Sequence, residues 1–533
     1  MTIEDWAFPT SIETLSLQSN RLRFTQFQTF MNLENLRTLS LEYNRITHIT
    51  PWTFTNCTSL SDLNLNSNEL GWLNSSHFAD CISLSSLNAQ SNQIGLIGPG
   101  TFTHLTSMAR INLAYNRLTE LPTESGDFWN KAITYLYLSS NYITSVRSNT
   151  FINFTAHTVQ LSDNQIAYVN SNAFLDCQVS STLTLTGNPL KVIQPYAWNG
   201  GYIRQIDLAS MEIQYLPSNA FHDVSGHALS LYSNTISYIQ PSAFNHISFT
   251  TIDLRYNGIQ DILGAMFNSS SVTYLYLNDN ELTNLLPMTF YDLSLYYLTL
   301  KYNKLVTYPA DALSVLGLQT IDLSHNEISS IPDGSFDAET SLRTLILDSN
   351  YITHLQAGLF DSLLLVTRIS VAENQLTFVA DELLENTEKL SSLDLSDNLL
   401  YHIPTLGGEN TMISGISINM ESNPIESLAK DLFRGMEAGS IQLSTSNLQC
   451  GCSVYQSLLN ATVMIGGTAA TCSYPQYLNG TSLFIASAYI SLDHSLECEP
   501  VNLSYSQPSI NVIDLSWSPD NSSADNSSAD SSS

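Results

Sequence analysis

The sequence predicts an α/β solenoid of about nineteen coils, with a parallel β-sheet on its concave face and a disulfide-bonded cap at its C-terminal end. Three observations predict it. The phrase L-x-L-x-x-N-x-L recurs along the chain, as in "LSLQSNRL", "LSLEYNRI", "LYLNDNEL" and "IDLSHNEI". A phenylalanine falls ten places after most of the repeat asparagines. Four cysteines begin just where the repeats stop.

The asparagines of the phrase stand at positions 20, 44, 68, 92, 116, 141, 164, 188, 234, 257, 280, 303, 326, 350, 374, 398 and 423, in steps of 23 to 25 residues once Met211 is counted as a rung. Met211 and Ser446 hold the same place without Asn, which makes nineteen coils with Asn in seventeen. The two apolar residues of L-x-L lie two apart and so share one face of a short strand. One coil cannot enclose them, but stacked coils bury them in a continuous core. The Asn side chain carries both donors and an acceptor. At the turn leaving the strand it can bond backbone groups of its own and adjacent coils, which would be costly to bury unpaired. At Met211 the ladder is expected to break, as a tolerated apolar substitution.

The rest of each coil keeps the same period. An apolar residue follows most asparagines by five places, for example Ile49, Leu73 and Val146. The phenylalanine column includes Phe30, Phe54, Phe78, Phe151, Phe244, Phe290 and Phe360, and reads as a stacked core spine. Each coil therefore has a slim strand side and a bulkier side. Unequal widths bend the stack, with strands spaced about 4.8 Å apart lining the concave face. Cys57, Cys81 and Cys177 fall thirteen places after an asparagine, where Leu33, Leu105, Leu293 and Leu363 stand in other coils. They read as small buried apolar residues, with Cys57 and Cys81 spread beyond disulfide reach on the wide side.

On these features the chain resembles the extracellular, roughly 24-residue class of leucine-rich repeat proteins. That class includes the ectodomains of Toll-like receptors, Slit-type proteins and variable lymphocyte receptors. The resemblance runs from about residue 12 to residue 500 and implies a horseshoe. The open end of such a stack exposes core and strand edge and needs a cap. Cys450, Cys452, Cys472 and Cys498 lie there, and spacing alone leaves their connectivity open. Zinc is the rival reading, but C-x-C followed by gaps of nineteen and twenty-five residues does not fit common zinc ribbons. The stretch "CSYPQYLNGTSL" resembles the family's C-terminal flanking cap through Cys472, Pro475, Gly480 and Leu483. That likeness implies the bonds Cys450–Cys472 and Cys452–Cys498, hence an oxidising compartment. The expected organisation is a lead-in at 1–11 without a cysteine cap, repeats at 12–447, the cysteine cap at 448–500 and a disordered Ser/Asn/Asp-rich stalk at 501–533.

Glycosylation signals agree with that compartment. Asn56, Asn74, Asn153, Asn268, Asn460, Asn479 and Asn502, with Asn521 and Asn526 in the tail, each begin N-x-S/T. None precedes a ladder asparagine on a strand, so glycans would leave the concave face bare. The expected location is extracellular or at the cell surface. The start "MTIEDWAFPT" carries no signal-peptide pattern, and no stretch reaches the about 20 apolar residues of a membrane helix. We read the start as the truncated front of a longer chain. The alternative is a short cap that packs Trp6 and Phe8 on the first coil. An intracellular scaffold is the literal alternative for location, and it would have free thiols at the four terminal cysteines.

Composition narrows the partners. Only 12% of residues are charged, 18 basic against 48 acidic, for a net charge of −30. Such a field repels nucleic acid and anionic membrane and favours basic ligands. Membrane attachment would need a further segment. No nucleotide-binding, metalloprotease or hydrolase motif occurs, the eleven histidines are scattered, and no cofactor or metal is expected. His222 and His227 have poor spacing for one helical face. The chain is not expected to be an enzyme, and a kinase or TIR-like signalling domain would lie beyond residue 533.

Binding is the chemistry the sequence does suggest. Residues alternating with the core leucines are mostly Ser, Thr, Asn and Asp, and the aspartates Asp207, Asp253, Asp322 and Asp394 read as common strand dressing. The departures are Tyr135 and Tyr137, then Tyr232, Arg255, Tyr256, Tyr274, Tyr276, Tyr297, Lys301 and Tyr302 on four consecutive coils. Tyr and Arg bury large areas at low entropic cost and dominate binding hot spots. Ordinary cross-strand packing is the plain alternative. The earlier pair is expected to matter less, because it lacks basic neighbours and flanking tyrosines. The expected function is non-catalytic recognition of an extracellular protein, peptide or glycan on the concave face, as a receptor ectodomain or secreted binder, with ligand-induced dimerisation as one way to signal. A structural or adhesive matrix protein is the other class in play.

Overall fold

The computed structural model describes residues 8–25, 29–122, 132–262, 264–290, 292–314, 317–409 and 412–429, and shorter pieces as far as residue 474. Its main element is a 21-stranded sheet. Each of the nineteen coils gives one strand, from Thr14–Ser16 to Ser440–Gln442; the short strand Leu293–Ser294 and the strand Met464–Gly466 complete the count, and neighbouring strands pair in parallel. The register sets like on like: Leu15 faces Leu39, Ile252 faces Leu275, and Leu275 faces Leu298. These core residues are buried, as stacking of open coils demands.

The asparagine ladder forms as expected. Asn280 shows its bonding: Nδ2 donates to Leu277 O at 2.9 Å and to Leu254 O of the preceding coil at 3.0 Å. Its Oδ1 accepts from Ile259 N at 3.1 Å. Each rung thus satisfies backbone groups of two coils that would otherwise be buried unpaired. All ladder asparagines are buried except Asn257, which is half-buried, and the first, Asn20. Asn20 bonds its own turn, at Leu17 O and Gln18 O. Met211 is buried in the ladder but brings no amide. The residue before each rung is left-handed, at φ 55° for Tyr43, 54° for Tyr256 and 53° for Tyr302, which turns the asparagine inward.

Two kinds of coil share this ladder. In the outer coils the sheet strand has three residues, as in Thr38–Ser40, Asp62–Asn64 and Thr320–Asp322. Turns make up most of their wide side. The helical part of the α/β class is reduced, among the described residues, to a 3-10 turn at Ser75–His77 and the helix Ala310–Leu313. Between residues 132 and 276 the strands have six or seven residues, as in Ala132–Tyr137, Tyr202–Asp207 and Ser270–Tyr276. Here a second, five-stranded parallel sheet runs along the wide side, from Phe174–Leu175 to Phe267–Asn268. The position eight places before the asparagine differs between the two kinds of coil without deciding between them. Outer coils have Leu36, Leu60 and Leu84 there, each closing a turn, as in Leu36 N to Leu33 O at 3.0 Å. Central coils have Ile133, Ile203 and Val272, whose β-branching suits extended chain. Yet Ala156, Ser180, Gly226 and Phe249 also stand there in central coils, and the β-branched Val366 closes a turn in an outer one.

The aromatic column stacks from coil to coil. Phe8 lies on Phe30 at 6.0 Å and Phe30 on Phe54 at 5.8 Å, while Trp6 lies outside the described residues. In the central coils the spacing tightens: Phe174 to Trp198 is 5.2 Å and Trp198 to Phe221 is 5.0 Å. Cys57, Cys81 and Cys177 are buried with free thiols. Burial pushes Cys57 and Cys177 up to about 12, and raises Cys81 as well. One wide-side position breaks the apolar rule. Glu339 takes the place that Leu363 holds in the next coil, is 2% exposed, and neither carboxylate oxygen has a hydrogen-bond partner among the described residues. Burial pushes its carboxyl up to about 7.

At the C-terminal end the strand Met464–Gly466 continues the sheet beyond Ser440–Gln442. Cys450 and Cys472 form a disulfide with Cα atoms 5.5 Å apart, as the resemblance implied. Cys452, Cys498, Asn460, Asn479 and Asn502 lie outside the described residues. No helix among the described residues is long and apolar enough to cross a membrane.

Candidate ligand-binding surface

Six of the eight residues expected to bind join in one run of ring contacts on the sheet. Tyr274, Tyr276 and Tyr297 stand on paired strands, with Tyr274 opposite Tyr297 in register. Tyr297 packs on Tyr276 at 5.7 Å and on Tyr274 at 6.1 Å. Arg255, two coils before Tyr297, places its guanidinium 5.1 Å from the Tyr276 ring and 5.4 Å from the Tyr232 ring. Tyr256 meets Tyr232 edge-on at 5.3 Å. The tyrosines on the strands are half-buried, so each ring offers one face and leans on its neighbour with the other.

Asp253 holds this group in place. Its carboxylate takes two bonds from Arg255, from Nε at 2.9 Å and Nη2 at 2.6 Å. The bidentate pair fixes the guanidinium plane between the two rings and holds Arg255 more firmly protonated. By sequence alone Asp253 passes for ordinary strand dressing. The register reveals its role, because it lies directly opposite Tyr276.

Lys301 and Tyr302 form a second group just past the end of the strand Tyr297–Thr299. Lys301 Nζ lies 4.9 Å from the Tyr302 ring centre, and Tyr302 stacks on His325 at 4.2 Å. Tyr256 and Tyr302 do not alternate with the core leucines. They occupy the left-handed turn before the ladder asparagine and are exposed, making a rim rather than a floor.

The first tyrosine pair corrects an expectation. Tyr135 and Tyr137 do have a basic neighbour: Arg110, opposite Tyr135 in register, lies 4.7 Å from its ring centre. It stands at the first outward position of its strand, whereas Arg255 and Lys301 stand at the third. Beside it lies a hollow of about 400 Å³ lined by Ile133, Tyr135, His157 and Ser180. A second hollow of about 300 Å³ is lined by residues including Asp62, Arg110 and Tyr137.

The described sequon asparagines lie away from these strand faces. Asn56 and Asn153 are exposed on left-handed turns, Asn74 caps the 3-10 turn, and Asn268 sits in the wide-side sheet.

Known proteins share this architecture. The leucine rich repeat family profile matches residues 10–70, 247–305, 294–352 and 340–400. The BspA type leucine rich repeat region matches residues 73–200 and 122–227, which includes much of the block with the second sheet. Two solved forms of the Drosophila Toll–Spätzle complex are similar at 20% identity, with TM-scores of 0.55 and 0.53. They cover 88% and 87% of this chain, which spans 63% of theirs. The TLR13–ssRNA13 complex aligns at 18% identity over 88% of this chain and 94% of its own, with a TM-score of 0.32. No curated protein matches by sequence. Repeat phrase, stacked parallel strands and both profiles agree: the chain belongs to the leucine-rich repeat family.

Proposed function

We propose that the patch from Tyr232 to Tyr302 captures an extracellular protein, peptide or glycan, and that the chain acts as a receptor ectodomain or secreted binding protein. The observation that carries this reading is the Arg255 clamp. A guanidinium held by Asp253 between two tyrosine rings is pre-organised, so little side-chain entropy is lost when a ligand settles on it. The patch also sets two cations in a chain of net charge −30, giving a local site for acidic or aromatic groups of a ligand. The Cys450–Cys472 disulfide supports an oxidising compartment and weighs against an intracellular scaffold. The Toll–Spätzle complex offers a precedent for a protein partner on the same fold. The Arg110–Tyr135 group and its hollows favour a second reading, in which the first tyrosine pair is the docking site.

The test is an array of extracellular proteins and glycans probed with three forms of the chain. Binding that survives Tyr135→Ser with Tyr137→Ser, but falls more than about 100-fold with Tyr274→Ser, Tyr276→Ser and Arg255→Ala together, supports the patch. The opposite pattern moves the site to the first pair. Binding untouched by both sets rejects the sheet face and leaves many weak adhesive contacts instead.

A further inference from the structure

The wide side of the central block carries a group of side chains that the tyrosine patch does not use. His222, Asp223 and His246 bring one ligand atom each to within 4.8 Å of one another. His222 Nδ1 lies 3.1 Å from Asp223 Oδ2, and His246 Nδ1 lies 3.1 Å from Asp223 Oδ1. His222 is half-buried, between the Tyr196 ring at 5.1 Å and the His246 ring at 5.8 Å, and its Nδ1 also meets Asn199 Oδ1 at 3.2 Å. Asp223 and His246 are exposed.

We propose that these three residues form a surface site for zinc or a similar late first-row divalent ion. Two imidazoles and one carboxylate are the donor set such ions prefer, whereas calcium and magnesium take oxygen ligands. Ligands about 2.0 Å from a tetrahedral ion lie about 3.3 Å from each other. Each imidazole is that close to an oxygen of Asp223, and the three ligand atoms, within 4.8 Å of one another, would draw together on an ion. The scaffold is stiff, because His222 belongs to the five-stranded wide-side sheet, and Asp223 and His246 hold the same left-handed turn in successive coils, at φ 50° and 53°. The preceding coil has Gly200 at that place, and the Asp176 carboxylate fills the space its side chain would take, adding negative charge along the column.

The site joins coil 211 to coil 234. Coil 211 is the one whose ladder position holds Met211 and offers no amide to its neighbour. The missing amide loosens coil 211 from coil 188. Towards coil 234 the Asn234 rung still bonds Leu208 O and Ile213 N, so a bound ion would add a wide-side tie across a junction whose strand side is complete. Sequence spacing conceals the site, because His222 and His246 are one whole coil apart.

Isothermal titration of the metal-stripped full chain with zinc chloride tests this, with calcium chloride as control. His222→Asn and His246→Ser keep the fold's own choices, since Asn199 and Asn245 flank the first position and Ser269 follows the second. One zinc per chain is expected, with affinity falling more than about 100-fold in either variant, beyond what loss of a mere supporting partner costs. Zinc should also slow hydrogen exchange in coils 211 and 234 of the native chain and not of the variants. Absent zinc binding, binding undiminished in both variants, or equal affinity for calcium would overturn the proposal. If a variant fails to fold by circular dichroism, Asp223→Asn replaces it under the same criteria.

Discussion

The central and outer coils share the repeat phrase, the ladder and the parallel sheet, yet differ on the side that carries no leucine strand. Central coils run straight from a second sheet into strands of six or seven residues, and their rings stack 5.0 to 5.6 Å apart. That is close to the about 4.8 Å between strands, so the two sides of the stack are nearly equal in width. In outer coils the rings sit further apart, 5.8 Å for Phe30 and Phe54 and 6.4 Å for Phe78 and Phe102, and the coils fan out. Curvature in this protein is therefore set by the wide side. The strand spacing on the sheet side is shared, and the two wide sides make the difference.

Breaking the aromatic column should show the contrast most strongly. Trp198→Ala removes a fully buried ring sandwiched between Phe174 and Phe221 and should cost near the upper end of about 3–5 kcal/mol. Phe54→Ala, in the looser outer stack, should cost near the lower end. Hydrogen exchange resolved by coil measures both, and equal losses would contradict a tighter central block. The next effect belongs to the outer coils. Unfolded, Glu339 loses its proton near 4.5; folded, it keeps it to about 7. Its contribution is fully present below pH 4.5 and is lost as pH rises through 7. Glu339→Leu should therefore add stability of the order of 3 kcal/mol at about pH 8 and little in acid. A denaturant series over pH tests this, and a gain independent of pH would point to packing alone. The smallest change sharpens the comparison inside the central block. Met211→Asn restores a rung and should add about 1 kcal/mol by chemical denaturation. A loss there would mean the thioether packs better than an amide bonds.

The strand side was legible because each coil repeats the evidence for it: alternating leucines and a timed asparagine admit one stacking. The two wide sides were not, since phenylalanine marks both and no one position separates them: the place eight before the asparagine holds Ile133, Ala156, Gly226 or Phe249 in central coils. Alternation also placed Tyr274, Tyr276 and Tyr297 on the sheet face. It misplaced Tyr256 and Tyr302, because the turn residue before the asparagine obeys backbone handedness and not the period of two. Arg110 and the role of Asp253 escaped for another reason. Both depend on which residue of one coil lies beside which residue of the next, a register that 23 to 25 intervening residues conceal.

The backbone bonds that build the sheet run from coil to coil, as in Leu277 N to Thr299 O at 3.0 Å, and so lie along the long axis of the stack. A molecule pulled from its two ends would load those bonds in series, every coil bearing the same force. Such a chain behaves as a spring whose links are the junctions between coils, and its yield point belongs to the weakest. Coil 211 meets coil 188 through backbone bonds such as Leu185 N to Asp207 O at 3.0 Å, without an amide rung beside them. Under tension, that junction should yield before those on either side of it, where Asn188 and Asn234 supply the rung.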